Sequence, residues 1–180
     1  MDPLLSYLPH WAYVALGSNL GDRATHLDLA RKRLEASGCR VFARSSIYET
    51  QPWGLKQQPL FLNQVIGLRT RLDPFELLDL LQELEGRAGR KRDIPNGPRT
   101  LDLDLLNWDN ERILVPELQL PHPRLHQRAF VLIPLEEIAP TLLLPGLNAS
   151  VAALAHALSE EERDTVRFWL PPAPKVRAQL

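Results

Sequence analysis

The stretch Arg99-Thr100-Leu101-Asp102-Leu103-Asp104-Leu105 alternates leucine and aspartate over its last five residues. Successive residues of a strand point to opposite faces, so Leu101, Leu103 and Leu105 share one face and Asp102 and Asp104 the other. A sheet built from such strands packs one face on a core and leaves the other for water or a ligand. From the strand rise, the two carboxylates stand about 7 Å apart at Cβ. Like charges this close repel, and a cation or a basic partner between them relieves the cost. The solvated face of an amphipathic edge strand shows the same pattern, so alternation alone leaves the chemistry open.

Working back from this strand, Arg87 to Pro98 is polar, basic and rich in breakers, and reads as a mobile surface loop. Before it, Asp73-Pro74 places a capping side chain ahead of a proline at the first helical position. Phe75, Leu77, Leu78, Leu81 and Leu84 supply that helix with an apolar stripe, and Gly86 and Gly89 break it. Phe61 to Leu72 and Val41 to Thr50 read as strands, joined by a loop of punctuating residues from Gln51 to Pro59. Earlier still, Trp11 to Gly17 is a short β-rich run ending in the turn Gly17-Ser18-Asn19-Leu20-Gly21. Asp22 then caps a helix carrying Leu27, Ala30 and Leu34 at helical spacing, which Gly38 ends.

Downstream, Ile113 to Leu120 reads as extended, Arg128 to Glu137 and Ala149 to Leu158 as short helices, and Val166 to Trp169 as a last strand. The order strand, helix, strand, strand, helix, strand is the ferredoxin-like βαββαβ pattern, an α+β fold with helices covering one face of an antiparallel sheet. The other face and its loops are then free for a ligand, and further elements follow toward the C-terminus. The expectation is a single catalytic domain over 1–180, with irregular termini at 1–11 and 171–180.

Composition narrows the classes. At 180 residues with 44% apolar and 24% charged residues, the chain is one globular domain and not a disordered segment. A net charge of -1 argues against nucleic-acid binding through bulk charge. No apolar run reaches the roughly 18 residues that a membrane-spanning helix needs. The first residues lack a basic region followed by a long apolar one, so the expected location is cytoplasmic. The single cysteine, Cys39, excludes an internal disulfide framework and a multi-cysteine zinc site.

Arg87, Arg90, Lys91, Arg92 and Arg99 set five cations within thirteen residues, beside the acidic pair. Magnesium takes oxygen ligands, often one or two carboxylates completed by substrate phosphates, and guanidinium groups grip the remaining phosphate oxygens. Together the two features point to the handling of a nucleotide's phosphates. The P-loop spacing is absent, as are the serine-hydrolase elbow and the zinc-protease helix motif. Gly17 to Gly21 lacks the dinucleotide fingerprint and reads as a tight turn. His122, held between Pro121 and Pro123, either donates to a phosphate or caps a loop.

Four blocks in order carry a resemblance. They are Ala12-Tyr13-Val14-Ala15-Leu16-Gly17-Ser18-Asn19-Leu20-Gly21-Asp22-Arg23; Ser46-Ile47-Tyr48-Glu49-Thr50 with Phe61-Leu62-Asn63; Gly97-Pro98-Arg99-Thr100-Leu101-Asp102-Leu103-Asp104; and Pro121-His122-Pro123 with Arg128-Ala129-Phe130-Val131-Leu132. Residues 12–145 resemble the 6-hydroxymethyl-7,8-dihydropterin pyrophosphokinases of folate biosynthesis. That resemblance implies the ferredoxin-like fold and transfer of pyrophosphate from MgATP to the pterin's hydroxymethyl group, with release of AMP. It also implies that Asp102 and Asp104 hold two magnesium ions, and that Arg90 and Arg92 act on the phosphates as catalytic groups. Gln82, Glu85, Arg99, Leu105, His122 and Arg128 complete the implied ATP site. Thr50, Trp53, Phe61, Asn63 and Phe130 form the implied pterin site, where aromatic faces suit a flat ring and an amide suits its edge.

The loop Arg92-Asp93-Ile94-Pro95-Asn96 is shorter than in better-known members, and Asn96 stands where several carry a sealing tryptophan. Leu60 and Gln51 also depart from common residues. The resemblance implies that the loops 51–60 and 87–98 close on substrate and exclude water. The implied partners are small molecules, with no nucleic acid and no membrane, and the chain is expected to be a monomer. Three rivals make different demands. A ferredoxin-like nucleic-acid module needs exposed aromatics and a basic face where this strand carries aspartates. A nucleotidyltransferase would release pyrophosphate instead of AMP, and an inactive homologue would not need both aspartates.

Overall fold

The computed structural model describes residues 8–90 and 97–171. Strand β1 (His10–Ser18) leads through the Gly21 turn into helix α1 (Arg23–Ala36). Asp22 caps this helix by accepting from the Thr25 N–H, and Leu27, Ala30 and Leu34 are its buried positions. Then come β2 (Arg40–Arg44), β3 (Tyr48–Thr50), β4 (Phe61–Thr70), α2 (Pro74–Arg87) and β5 (Asp102–Trp108). The sheet runs β5-β1-β4-β3, with β2 also pairing with β4, and each of these pairings is antiparallel. This is the βαββαβ arrangement expected from the element order.

The expected strand 41–50 is two strands. Ser45 breaks it: its N–H donates to the Val65 carbonyl at 2.9 Å, while its hydroxyl oxygen accepts from the Val65 N–H at 3.0 Å. Ser46 then turns away to donate from its N–H and its hydroxyl to the Glu137 carboxylate. Tyr48 donates to the same carboxylate at 2.9 Å, and burial with that negative charge pushes its phenol up to about 12. A serine side chain competing with the backbone for its own hydrogen bonds is the physical cause of the break.

The helix stripe also needs correction. Phe75 is exposed, whereas Leu77, Leu81, Leu84 and the carboxylate residue Glu85 are buried. Gly86 lies within α2, and Gly89, with φ of 77°, is the residue that takes the left-handed conformation beyond its end.

Past β5, the stretch expected as extended is a hairpin of β6 (Ile113–Leu114) and β7 (Gln119–Leu120), closed by Val115 and Leu118. A 3-10 turn (Leu125–Gln127) precedes α3 (Ala129–Ile138), followed by α4 (Val151–His156), α5 (Glu160–Asp164) and β8 (Val166–Phe168). Helix α5 was not expected, although Ser159 and Glu162 form a capping box that signals it. Strand β8 pairs with β3 and extends the sheet.

Helices cover both faces, not one. On the first face Leu16, Ile66, Leu101, Leu103 and Leu105 pack against Leu27, Leu34, Leu77, Leu81 and Leu84. On the second, Tyr13, Val65 and Leu106 pack against Leu125, Val131, Leu132, Leu135, Val151 and Ala155. Burying one such leucine contributes about 1.5–3 kcal/mol relative to leaving it in water. Helices α3 and α4 are the added layer, and they cover only part of the second face.

Candidate active site

The uncovered part of the second face is where the polar positions gather. In the sheet register Gly17 of β1 lies between Asp102 of β5 and Asn63 of β4. One step along, Ala15 lies between Asp104 and Val65. A Cβ on Gly17 would stand 2.9 Å from Asn63 Oδ1 and 3.6 Å from the Asp102 Cβ. The glycine therefore allows the amide and the acidic strand to approach over a bare backbone.

The acidic pair is balanced by arginines. Asp102 pairs with Arg90 at 2.6 Å and with Arg99 at 2.8 Å, and Asp104 pairs with Arg128 at 2.9 Å. Arg90 also pairs with Glu85, whose carboxylate accepts from the Leu103 N–H at 2.7 Å. Glu85 is only 3% exposed, so it works as an internal support: it orients Arg90 and holds the backbone of β5. The Nε atoms of Arg99 and Arg128 are buried without an acceptor. Buried donors of this kind call for an anion.

Beside the carboxylates lies a pocket lined by Thr50, Gln51, Trp53, Phe61, Asn63, Arg99, Asp102, Arg128 and Phe130. Asn63 Nδ2 donates to the Thr50 hydroxyl at 2.6 Å, which fixes the amide. The Arg99 guanidinium lies over Phe61 at 5.1 Å, and that of Arg128 faces both Trp53 and Phe130, at 5.5 and 5.6 Å. Arginine favours such stacking because its guanidinium is planar and weakly hydrated.

His122 sits on the neighbouring side of Asp104 and lines a separate cavity with His126 and Arg112. Burial pushes its imidazole below the ordinary value; Asp104 opposes this, and Arg128 and Arg124 reinforce it. Its Nδ1 accepts from the Arg124 N–H at 3.2 Å, so the neutral ring carries its proton on Nε2.

Thr50, Trp53, Phe61, Asn63, Arg99, Asp102, Arg128 and Phe130 thus come together in one pocket, with Asp104 and Arg90 joined to it by ion pairs. Of the other expected positions, Glu85 supports Arg90 and His122 lines the neighbouring cavity, while two stand apart from the pocket. Leu105 is buried in the first core with its side chain away from the pocket, because it alternates with Asp104. Gln82 is exposed on α2 and does not line the pocket. Arg92 lies outside the described residues, as do Lys91 and the 92–96 segment.

Sequence reasoning passed over Asn19 and Gln51. Asn19 is 2% exposed and belongs to the stretch read as a plain turn. Its Oδ1 accepts from the Arg99 N–H at 2.7 Å, and its Nδ2 donates to Gln58 Oε1 and the Pro59 carbonyl, each at 3.1 Å. It therefore ties the loop 51–60 to the segment that carries Arg99. A buried asparagine inside a glycine-flanked turn was the available signal, but nothing in the sequence says that it is buried.

As a metal site, the described residues present no group of three or more ligating side chains, so a closed protein cage is absent among them. Two carboxylates on one strand face instead suit magnesium, which keeps waters and takes phosphate oxygens as its remaining ligands.

Comparison with known proteins matches residues 13–140 to the family described as 7,8-dihydro-6-hydroxymethylpterin-pyrophosphokinase. The chain is 43% identical over 159 residues to the 2-amino-4-hydroxy-6-hydroxymethyldihydropteridine pyrophosphokinase of Bacillus subtilis, covering 88% of this chain and 89% of that one. It is 45% identical over 134 residues to the protein of the same name from Pseudomonas aeruginosa, covering 74% and 83%. Among solved structures, wild-type Plasmodium falciparum HPPK-DHPS with pteroate aligns with a TM-score of 0.65 at 15% identity, over 82% of this chain and 42% of that one. This chain therefore spans less than half of that longer one, and at such identity the likeness concerns the fold alone.

Proposed function

This chain belongs to the 7,8-dihydro-6-hydroxymethylpterin-pyrophosphokinase family, and from that premise we propose that its aromatic pocket receives the pterin while the acidic pair and its arginines receive the triphosphate of MgATP. The protein is a pyrophosphokinase of folate biosynthesis that acts on hydroxymethyldihydropterin with ATP as co-substrate. One observation carries the assignment of the two subsites: Asp102, Arg99 and Arg128 belong both to the acidic and basic network and to the wall of the aromatic pocket. The two substrates would therefore meet at that wall.

In the reaction, the hydroxymethyl oxygen forms a bond to the β-phosphorus. The bond from that phosphorus to the oxygen of the α-phosphate breaks, AMP leaves with the electron pair, and the hydroxyl proton goes to water. Phe61, Phe130 and Trp53 supply faces for the pterin, and Asn63, fixed by Thr50, addresses its edge. Arg90, Arg99 and Arg128 exchange carboxylate oxygens for phosphate oxygens, so charge growing on the phosphates meets donors already in place. Arg92 would join them. His122 donates from Nε2 to a phosphate oxygen while neutral. Asp102 and Asp104 would hold magnesium, two ions in this reading, and bound magnesium neutralises the phosphates and stabilises the departing AMP.

In this reading residues 1–180 form one catalytic domain that works as a cytoplasmic monomer without nucleic-acid or membrane partners. No helix among the described residues is long and apolar enough to cross a membrane. The test is an assay of purified protein with magnesium, ATP and the dihydropterin, following AMP and pyrophosphate separately, with a pterin-free control. Pterin-dependent AMP is expected. Release of free pyrophosphate in place of AMP would assign a nucleotidyltransferase instead.

A further inference from the structure

Trp53 stands at the exposed part of the loop 51–60, and the loop is held elsewhere at both feet. Gln51 donates its N–H to the Thr165 carbonyl at 3.1 Å. At the other foot Asn19 holds Gln58 and Pro59, and Arg23 donates to the Leu60 carbonyl at 2.8 Å. Trp53 itself is 41% exposed. Among the described residues its ring contacts are the guanidinium groups of Arg124, at 5.2 Å, and Arg128, at 5.5 Å.

These two arginines are not equivalent. Arg128 is buried and paired with Asp104, and the proposed reaction commits it to phosphate. Arg124 is exposed, and among the described residues no carboxylate pairs with it. Its N–H donates to His122 Nδ1 at 3.2 Å, so the backbone that orients the imidazole also carries the side chain that lies over Trp53. Arg124 thereby spans from the Pro121–Arg124 turn, on the phosphate side, to the loop that walls the aromatic pocket.

We propose that Arg124 is a positioning residue for the pterin: its guanidinium lies over the Trp53 ring and keeps that ring against the pocket when Arg128 turns to phosphate. Arg124 acts through Trp53 and does not touch the reacting atoms. An exposed cation–π contact of this kind is worth about a 2- to 5-fold change in an equilibrium constant. The inference rests on the pterin assignment of the pocket, and the wild-type assay separates the two: without pterin-dependent AMP the assignment itself fails.

The experiment is a double-mutant cycle on steady-state KM values, with Arg124→Ala, Trp53→Leu, the pair, and Arg124→Lys, each checked for a native melting transition. Arg124→Ala should raise the KM for the dihydropterin about 2- to 5-fold with the KM for ATP unchanged. In the Trp53→Leu background it should add nothing, because the ring it holds is gone. Arg124→Lys, which keeps the charge but loses the planar stack, should fall between wild type and Arg124→Ala. An unchanged pterin KM, an equal rise for ATP, or a full additional loss in the Trp53→Leu background would overturn the proposal.

Discussion

The second face of the sheet is finished differently at its two ends, although the same strands β1, β4 and β5 run through both. At one end Tyr13, Val65 and Leu106 are sealed under α3 and α4 in a dry apolar layer. At the other, two to four residues along each strand, Gly17, Asn63 and Asp102 stand in register with Asp104 one step behind, and α3 reaches them through Arg128 and Phe130 at its N-terminal end. The difference is one of solvation. Leucine and valine gain by being covered, whereas a covered aspartate must find a cation and fill its hydrogen bonds or cost several kcal/mol. The open end answers that demand with Arg90, Arg99 and Arg128, which leaves the carboxylates both paired and reachable. Stability and function are thus assigned to opposite ends of the same strands, and mutations can test the division.

The largest effect is expected at the open end. Asp104→Asn keeps the shape and an acceptor for Arg128 but removes a charge, and should lower pterin-dependent AMP formation about a hundred- to a thousand-fold. Its urea midpoint should stay close to wild type, and a near-normal rate in that variant would end the assignment of Asp104. The covered end should behave inversely. Leu132→Ala, at a position 0% exposed in the second core, should cost about 2–5 kcal/mol in urea unfolding. Turnover per folded molecule should survive that change, and a specific loss of activity without loss of stability would break the comparison.

A smaller effect lies at the junction of the two ends. Gly17→Ala sets a methyl group 2.9 Å from Asn63 Oδ1, and overpacking of this sort costs about 1–3 kcal/mol. The dihydropterin affinity should fall more than the ATP affinity, because Asn63 moves while the arginines need not, and titration of each ligand separately reads this.

The smallest concerns pH. Burial favours neutral His122 in the folded state, so as pH falls below 6.5 the unfolded chain takes up that proton first. Stability from this group is therefore full above 6.5 and declines as pH drops toward the folded-state value. In NMR titrations the His122 ring should titrate below an exposed reference histidine, and an ordinary or raised value would remove the neutral donor from the mechanism.

Much of this division was legible in particular residues. The Leu-Asp alternation of 101–105 put the leucines in one core and the aspartates on the opposite face, because strand geometry permits nothing else. Asp22 and Asp73 announced their helices through capping chemistry that needs no tertiary partner. Less local features were hidden. Ser45 and Ser46 break a strand by binding Val65 and Glu137, the second 91 residues away in sequence. The resemblance places Leu105 at the nucleotide site, while the alternation of 101–105 turns its side chain into the core. The burial of Glu85, which the resemblance places at the nucleotide site, follows from the packing of α2 against β5, where its carboxylate accepts from the Leu103 N–H.

By itself the sequence determined the βαββαβ order, the caps, the two-faced strand and the blocks that mark the family, since all of these rest on short-range periodicity and side-chain type. Only the tertiary structure decided which end of the second face stays open, which arginine meets which aspartate, and that Asn19 joins two loops. Those outcomes depend on segments far apart in the chain competing for the same surface. Where apolar side chains won, helices closed the face; where charged ones stood, desolvation kept it open.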